Sequence, residues 1–358
     1  MEKVGVTPSF WAGRRVLVTG HTGFKGSWLS LWLQQLGAEV TGLSLPAASA
    51  PALFDLADVG SGIASVYADI RDQLAVARVL RETRPSVVLH LAAQALVRES
   101  YRQPLDTFST NILGTGHVLE AVRHCDAVRA VVVVTSDKCY RNTDSGRAFI
   151  ETDPLGGSDP YSSSKAAAEL ITEAYRASFL SSSAVGVATA RAGNVIGGGD
   201  WSADRLIPDA VRAWVGGQSL MLRYPGATRP WQHVLEPLRG CLTLVEALVA
   251  QPARFSGAWN FGPAAASART VGAVADAAAL CWGGQAAVRL GSNVGEAAEA
   301  QQLQLDSSKA WEQLQWQTRW SFNETVEQTM RWYLKWHQGE PMRAFSLAQL
   351  AAYEGSAG

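Results

Sequence analysis

A doubly wound parallel α/β sheet with a smaller mixed α/β lobe is the fold class that this sequence predicts, and three observations predict it. Short β-branched runs alternate with helical periodicity along roughly the first half of the chain. Residues 130–135 are dense in valine, which suits a strand buried on both faces of a parallel sheet. A turn carrying Gly20, Gly23 and Gly26 joins the first strand to the first helix.

In chain order, residues 15–19 form a β-branched run that stops at Gly20, and residues 26–36 have helical periodicity ended by Gly37. Residues 39–44 read as the second strand, with Pro46 and Pro51 opening a loop. A strand at 66–69, a helix at 73–84 and a strand at 86–91 continue the alternation. Helices at 111–124 and 162–178 flank the valine strand, and 184–190 reads as a sixth strand. Beyond Gly193 the rhythm breaks into irregular pieces over 197–230. Helical periodicity resumes over 236–249, before a strand-like piece at 258–261. The chain is therefore expected to interleave two domains. Residues 1–190 plus about 234–261 make the sheet domain, and about 191–233 plus 262–358 make the smaller lobe.

Composition narrows the function. With 47% hydrophobic against 18% charged residues, the chain buries a large core and is not a disordered segment. Thirty-one basic residues nearly cancel thirty-two acidic ones, which removes the broad basic face of a nucleic-acid binder. Cys125, Cys139, Cys241 and Cys281 are far apart and lack C-x-x-C spacing, so zinc and thiol-redox chemistry are not indicated and a reducing cytoplasm is the expected home. No apolar run approaches the roughly 20 residues of a bilayer span, and residues 1–10 lack the shape of a signal peptide, so a soluble, unprocessed protein is expected. Seven of the thirteen tryptophans fall at or after Trp259, and core packing is the first reading for them, ligand stacking the second.

Four groups of residues carry chemistry. The spacing of Gly20, Gly23 and Gly26 permits a tight turn and a close backbone approach to a pyrophosphate at a helix N-terminus. No acidic residue lies between Val40 and Phe54, so Ser44 stands where a ribose-binding Asp or Glu is expected. His21 and Lys25 either compensate or are solvated loop residues, and Lys25 is of a type that also attracts a 2′-phosphate. Tyr161 and Lys165, four apart at the start of a helix, share a face, and an ammonium beside a phenol favours the phenolate a base requires. Ser136, Asp137 and Lys138 follow the valine strand at the edge where doubly wound sheets bind ligands; they supply a hydroxyl, an acid and an amine, or else a polar strand end. Arg191, Arg205, Arg223 and Arg229, interspersed with Asn194, Trp201 and His233, either grip a diphosphate or are scattered on the surface. His90 and His117 read as core histidines, and neither a metal-ligand pattern nor a G-x-S-x-G elbow is present.

Taken together, Gly20/Gly23/Gly26, Asp69-Ile70, Leu91-Ala92-Ala93, Asn111 and Tyr161/Lys165 resemble the extended short-chain dehydrogenase/reductase family over nearly the whole chain. The longer strings 20–28, 135–140, 191–201, 229–234 and 305–310 are similar to its sugar-nucleotide 4,6-dehydratase branch, in the group acting on CDP-glucose. The resemblance implies a Rossmann-type domain holding NAD through Gly20, His21, Gly23, Phe24, Lys25, Gly26, Ser44, Asp69, Ile70, Leu91, Ala92, Ala93, Tyr161 and Lys165. It implies CDP-glucose held by Asn194, Arg205, Arg223, Arg229 and His233, and catalysis by Ser136, Asp137, Lys138, Tyr161 and Lys165. In these roles Tyr161 takes the C4 hydroxyl proton, Lys165 holds the ribose, Ser136 orients the C4 oxygen, Lys138 removes the C5 proton and Asp137 protonates the departing C6 hydroxyl. Most related dehydratases carry glutamate where this chain has Lys138, which points to the CDP-sugar group.

The resemblance further implies a homodimer or homotetramer built on helices 96–108 and 111–124 or the helix after Tyr161, and a place in deoxysugar and polysaccharide biosynthesis. The chain departs from the pattern at Ala298, where a histidine is expected before Glu299. An NDP-sugar epimerase or an NAD(P)-dependent NDP-sugar reductase needs the same tyrosine, lysine and glycines but not the Asp137/Lys138 pair, and a non-catalytic sensor needs neither Tyr161 nor Lys165.

Overall fold

The computed structural model describes residues 6–142, 146–181, 184–264, 267–284, 286–291 and 303–356. Seven strands form one parallel sheet: β1 (Arg15–Thr19), β2 (Glu39–Ser44), β3 (Ala64–Tyr67), β4 (Val87–His90), β5 (Ala130–Val134), β6 (Gly186–Arg191) and β7 (Gly257–Asn260). Their order across the sheet is β7-β6-β5-β4-β1-β2-β3. The chain winds outward through β2 and β3, then crosses back to β4 on the other side of β1. This reversal opens a crevice above the carboxyl ends of β1 and β4.

The valine strand β5 lies inside the sheet, between β4 and β6, and Ala130, Val131, Val132 and Val133 are fully buried. Such residues suit this position because their stiff, branched side chains pack on a pleated surface covered on both faces. The helix Leu235–Ala250 covers β5 and β6, and the chain then returns to the sheet as β7, with Ala258 opposite Thr189.

Four departures from the expected elements have local causes. β3 covers Ala64–Tyr67, two residues earlier than the predicted 66–69, and Asp69 turns back to bind Arg71, while Asp72 caps the helix Gln73–Thr83 by accepting from the N–H groups of Leu74 and Ala75. The segment 96–108 is not one helix but two, Val97–Arg102 and Pro104–Phe108, because Pro104 offers no backbone N–H to continue the ladder. The helix expected from residue 111 opens with a π turn, Ser109–Leu113, before Gly114–Arg123. A helix, Leu206–Val215, occupies part of the stretch expected to be irregular.

Tryptophans do structural work in joining the parts. Trp11, Trp28, Trp32, Trp259, Trp316 and Trp332 are almost wholly buried. Trp28, on the helix Phe24–Gln35, donates to the Gly198 carbonyl at 2.9 Å, and Trp32 on the same helix donates to Glu354 at 2.7 Å. The last helix, Met342–Gly355, is thereby fastened to the helix Phe24–Gln35 of the sheet domain, although they lie some 320 residues apart in the chain.

His90 bridges Thr19 (2.7 Å) and Thr115 (3.0 Å), and His233 packs edge-on to Trp28 and Trp320, so both are core histidines. Burial pushes each down to about 3 from 6.5. The unfolded chain takes up these protons first as pH falls, so their contribution to stability is complete above 6.5 and declines toward 3. We expect His233→Phe to lose about 2 kcal/mol less stability than wild type between about pH 6.5 and about pH 5, measured by urea unfolding. An equal loss in both proteins is incompatible with a neutral buried His233.

Candidate active site

Three segments converge at the carboxyl edge of the sheet. After β5, Ser136 caps a short turn, Asp137–Cys139: its hydroxyl donates to Asp137 Oδ1 at 2.9 Å and accepts the Lys138 N–H at 3.2 Å. Lys138 Nζ lies 3.8 Å from Asp137 Oδ1. After β6 the chain passes Gly193 and Asn194, and Asn194 has a left-handed φ of 49° that brings its amide within 3.5 Å of Asp137 Oδ2. Gly193 is required by proximity: a Cβ there would sit 1.9 Å from the same oxygen. Asp137 is buried, so its carboxyl is held among Ser136, Lys138 and Asn194 rather than in water.

The third segment is the helix Pro160–Tyr175, whose N-cap, Asp159, accepts the Ser162 N–H, with proline at the first turn. Tyr161 and Lys165 are both buried on it. Ser164 accepts from Asn111 at 2.8 Å, tying the helix to the π turn. Burial pushes the Tyr161 hydroxyl up, while the Lys138 charge and a hydrogen bond with Ser136 pull the other way. Burial pushes Lys165 down to about 8, helped by the Lys25 charge and opposed by Glu169 and Cys139. Lys25 is pushed down to about 8 as well, by burial and Arg205, against Cys241, Asp137 and Asp200.

These residues front a cavity of about 1630 Å³, whose wall includes Lys25, Ser136, Asp137, Lys138 and Tyr161 together with Asn194, Arg205, Arg223 and Arg229. The arginines after Gly193 therefore converge on one space, Arg205 with its Nη1 held 2.9 Å from Asp200. Three residues of that constellation do not join them, and of these Trp201 packs against Tyr333 and Trp336. His233 is fully buried behind the wall among aromatic rings, so it is not placed to touch a ligand. Arg191 turns inward to a buried ion pair with Glu169 at 2.7 Å. Ala298 and Glu299 lie outside the described residues.

The glycine turn fits a dinucleotide on its own geometry. Gly20 has a φ of 75°, and a Cβ on it would meet the Ala92 nitrogen at 2.8 Å; a Cβ on Gly26 would meet the Gly20 carbonyl at 2.0 Å. The turn leads through Gly23 into Phe24–Gln35, whose first N–H groups have no partner within the helix, the arrangement that receives a pyrophosphate. Around it, Thr19 Oγ1 receives the N–H groups of Leu91 and Ala92, Ser44 bonds Thr22 at 2.9 Å, and Ile70 is buried against Gly114. Asp69 forms an ion pair with Arg71 at 2.6 Å, which also reaches Asp106.

His21 departs from its expected role. It lies flat over Gly42, where a Cβ would come within 2.3 Å of the ring, and bonds Ser65 at 3.1 Å; burial pushes it down to about 4. It therefore fills space beneath the turn. Lys25 stands on the cavity wall near Asp137, Asp200 and Arg205, and Ser44 bonds Thr22 at the end of β2, so a role for Lys25 at a 2′-phosphate is not favoured. Sequence reasoning missed Gly193, Asp200 and Glu169. Only Glu169 left a visible signal, since it continues the four-residue spacing of Tyr161 and Lys165.

Residues 17–329 match the family described as GDP-mannose 4,6 dehydratase. The chain belongs to that family. Among its relatives, a CDP-glucose 4,6-dehydratase of Salmonella typhimurium is 46% identical over 97% of this chain and 98% of its own length. A dTDP-glucose 4,6-dehydratase of Xanthomonas campestris pv. campestris is 27% identical over 94% and 98%. The crystal structure of DesIV, a dTDP-glucose 4,6-dehydratase of Streptomyces venezuelae with NAD and TYD bound, superposes with a TM-score of 0.76 at 26% identity, covering 91% of this chain and 98% of that one. A UDP-glucose-4-epimerase from Stenotrophomonas maltophila superposes with a TM-score of 0.79 at 24% identity, over 91% and 99%, and shares the fold.

In this 4,6-dehydratase family member, the contact between Gly193 and Asp137 gives a direct test of the site's geometry. Gly193→Ala should fold with a loss of about 1–3 kcal/mol, as overpacking costs, and a crystal structure of the variant should show the Asp137 carboxyl displaced from Ser136 and Asn194. An unmoved carboxyl means that the backbone yields instead.

Proposed function

We propose that this chain is a lyase converting CDP-D-glucose to CDP-4-dehydro-6-deoxy-D-glucose and water. The observation that carries this reading is the Asp137/Lys138 pair standing on the same cavity wall as Tyr161, in a chain 46% identical to a CDP-glucose 4,6-dehydratase. An epimerase has no use for an acid and an amine at that place. The dinucleotide is NAD, held by Gly20, Gly23, Phe24, Gly26, Ser44, Asp69, Ile70, Leu91, Ala92 and Ala93, with Lys165. When bound, it supplies a two-electron acceptor at C4 and a donor at C6, so the overall reaction is redox-neutral.

The chain's own residues move the protons. Tyr161 as phenolate takes the C4 hydroxyl proton, against the burial that disfavours its ionisation. A ketone at C4 acidifies C5, and Lys138, as the free amine, removes the C5 proton. Asp137, as the acid, gives a proton to the C6 oxygen, and the C6–O bond breaks to release water. Lys138 returns a proton to C5 after C6 is reduced. The proton gained by Tyr161 then restores Asp137 through solvent in the cavity. Arg205, Arg223, Arg229 and Asn194 hold the diphosphate and sugar, because guanidinium forks match anionic oxygens.

In the same reading, residues 1–190 plus about 234–261 form the cofactor domain and the remainder the sugar-nucleotide lobe; β7 and the Leu235–Ala250 helix support this division, while the last helix docks against the cofactor domain. A homodimer or homotetramer pairs through helices that expose Tyr101, Leu105, Leu113 and Leu170. No helix among the described residues is long and apolar enough to cross a membrane, and a cytoplasmic place in deoxysugar and polysaccharide biosynthesis fits the four free cysteines.

Incubation with NAD and CDP-glucose should yield the keto-deoxy sugar nucleotide, and dTDP-glucose or UDP-glucose should react far more slowly; equal rates with all three would overturn the nucleotide assignment. Lys138→Met should bind CDP-glucose and accumulate reduced-nicotinamide absorbance because elimination stalls, whereas Tyr161→Phe should show none. Wild-type turnover by Lys138→Met would make Lys138 a structural residue.

A further inference from the structure

Glu169 is a buried acid in the middle of the Pro160–Tyr175 helix, and the proton transfers above do not use it. Its two oxygens are fully engaged. Oε1 accepts from Thr135 at 2.5 Å; Oε2 accepts from Thr189 at 2.7 Å and from Arg191 at 2.7 Å. Thr135 directly precedes Ser136, Asp137 and Lys138. Thr189 and Arg191 belong to β6, which leads to Gly193 and Asn194. One carboxylate therefore grips both strands whose ends carry the acid, the amine and the amide. It does so from the helix that carries Tyr161 and Lys165.

Tyr161, Lys165 and Glu169 follow one another at four-residue intervals along a single helix ridge. Arg191 continues the network to the Tyr140 hydroxyl at 2.7 Å, and Tyr140 donates to Asn260 of β7 at 2.8 Å. Lys165 Nζ lies 3.4 Å from the Val134 carbonyl, so the ammonium is fixed against the same strand end. Charged and titratable groups face Lys165 from each packed element: Lys25 from the helix Phe24–Gln35, His90 from β4, Cys139 from the turn after β5, and Tyr161 and Glu169 from its own helix. Glu169 is the carboxylate in this set.

We propose that Glu169 is a positioning residue of the dehydratase: one helical turn from Lys165, its carboxylate sets the Tyr161/Lys165 face against the Asp137/Lys138 turn. The proposal deepens the CDP-glucose dehydratase reading and rests on it for its kinetic consequence, but the effect on Lys165 is a property of the protein alone. Burial and Lys25 already push Lys165 down to about 8, with Glu169 opposing them, so removing the carboxylate should let Lys165 lose its proton at lower pH.

The test uses Glu169→Gln, Glu169→Gln/Arg191→Met, and Thr189→Val. Lys165 titration is followed without cofactor by NMR of labelled lysine, assigned with Lys165→Arg; the chain has only six lysines, so the signals are few. In Glu169→Gln the Lys165 midpoint should fall by roughly one pH unit. The double variant, which removes the stranded arginine charge and restores folding if the single variant is unstable, should keep the lowered midpoint. Thr189→Val retains the carboxylate and loses one tether. It should leave the midpoint in place and lower kcat by about 10-fold or more at nearly constant KM, since small misplacements of reacting groups are costly.

In turnover, Glu169→Gln should bring the alkaline limb of the kcat profile to lower pH. An unmoved Lys165 midpoint in the double variant, or a Thr189→Val enzyme with wild-type kcat, overturns the proposal and leaves Glu169 as a partner for Arg191 alone. A wild-type protein inactive on CDP-glucose instead refutes the dehydratase reading, while the Lys165 titration still decides the role of Glu169.

Discussion

The buried carboxylate of Glu169 is the contact on which the site's geometry depends. A parallel sheet presents its strand ends at one edge, but it does not fix how a flanking helix is rotated over them. Here the bonds from Thr135, Thr189 and Arg191 to one side chain fix that rotation, and Lys165 and Tyr161 sit one and two turns away along the same ridge. Breaking a buried pair by removing one partner is costly, about 3–5 kcal/mol, because a charge is then left unpaired. The same packing that holds the helix therefore penalises any change in it.

A second constraint is the balance of charge in the cavity. Lys25 and Lys138 bring amines to a space that also holds Asp137, and Asp200 beside Arg205, and the Lys25 charge reaches Lys165 as well. Crowded amines in a poorly solvated place lose protons more easily, and Lys25 and Lys165 are both brought to about 8. A cavity rich in cationic groups suits a diphosphate. The absence of a side chain at Gly193 lets the Asp137 carboxyl lie against backbone, shielded from water on that side.

Much of this was legible in the sequence, and what was not has physical reasons. The sheet strands announced themselves because burial on both faces demands unbroken apolar runs, and the Tyr161/Lys165 and Ser136–Lys138 groups lie close together in the chain. Arg205, Arg223 and Arg229 were found by composition and do converge. His233 and Arg191 came from the same stretch and do not, because residue type does not tell which way a loop side chain turns; His233 is enclosed by Trp28 and Trp320 from distant segments. His21 was misread for a similar reason, since the space above Gly42 that accepts its ring belongs to the neighbouring strand. The helix Leu206–Val215 and the docking of the last helix by Trp32 and Glu354 depend on tertiary partners that local periodicity does not contain.

The most direct measurement follows the hydrogen on C4. CDP-glucose carrying deuterium at C4 is incubated with the NAD-loaded enzyme, and the product is examined by mass spectrometry and NMR. The expected product is a 4-keto-6-deoxy sugar with the deuterium at C6 of the same molecule, even when mixed with unlabelled substrate. Deuterium lost to solvent, scattered between molecules, or retained at C4 of an epimerised sugar contradicts it.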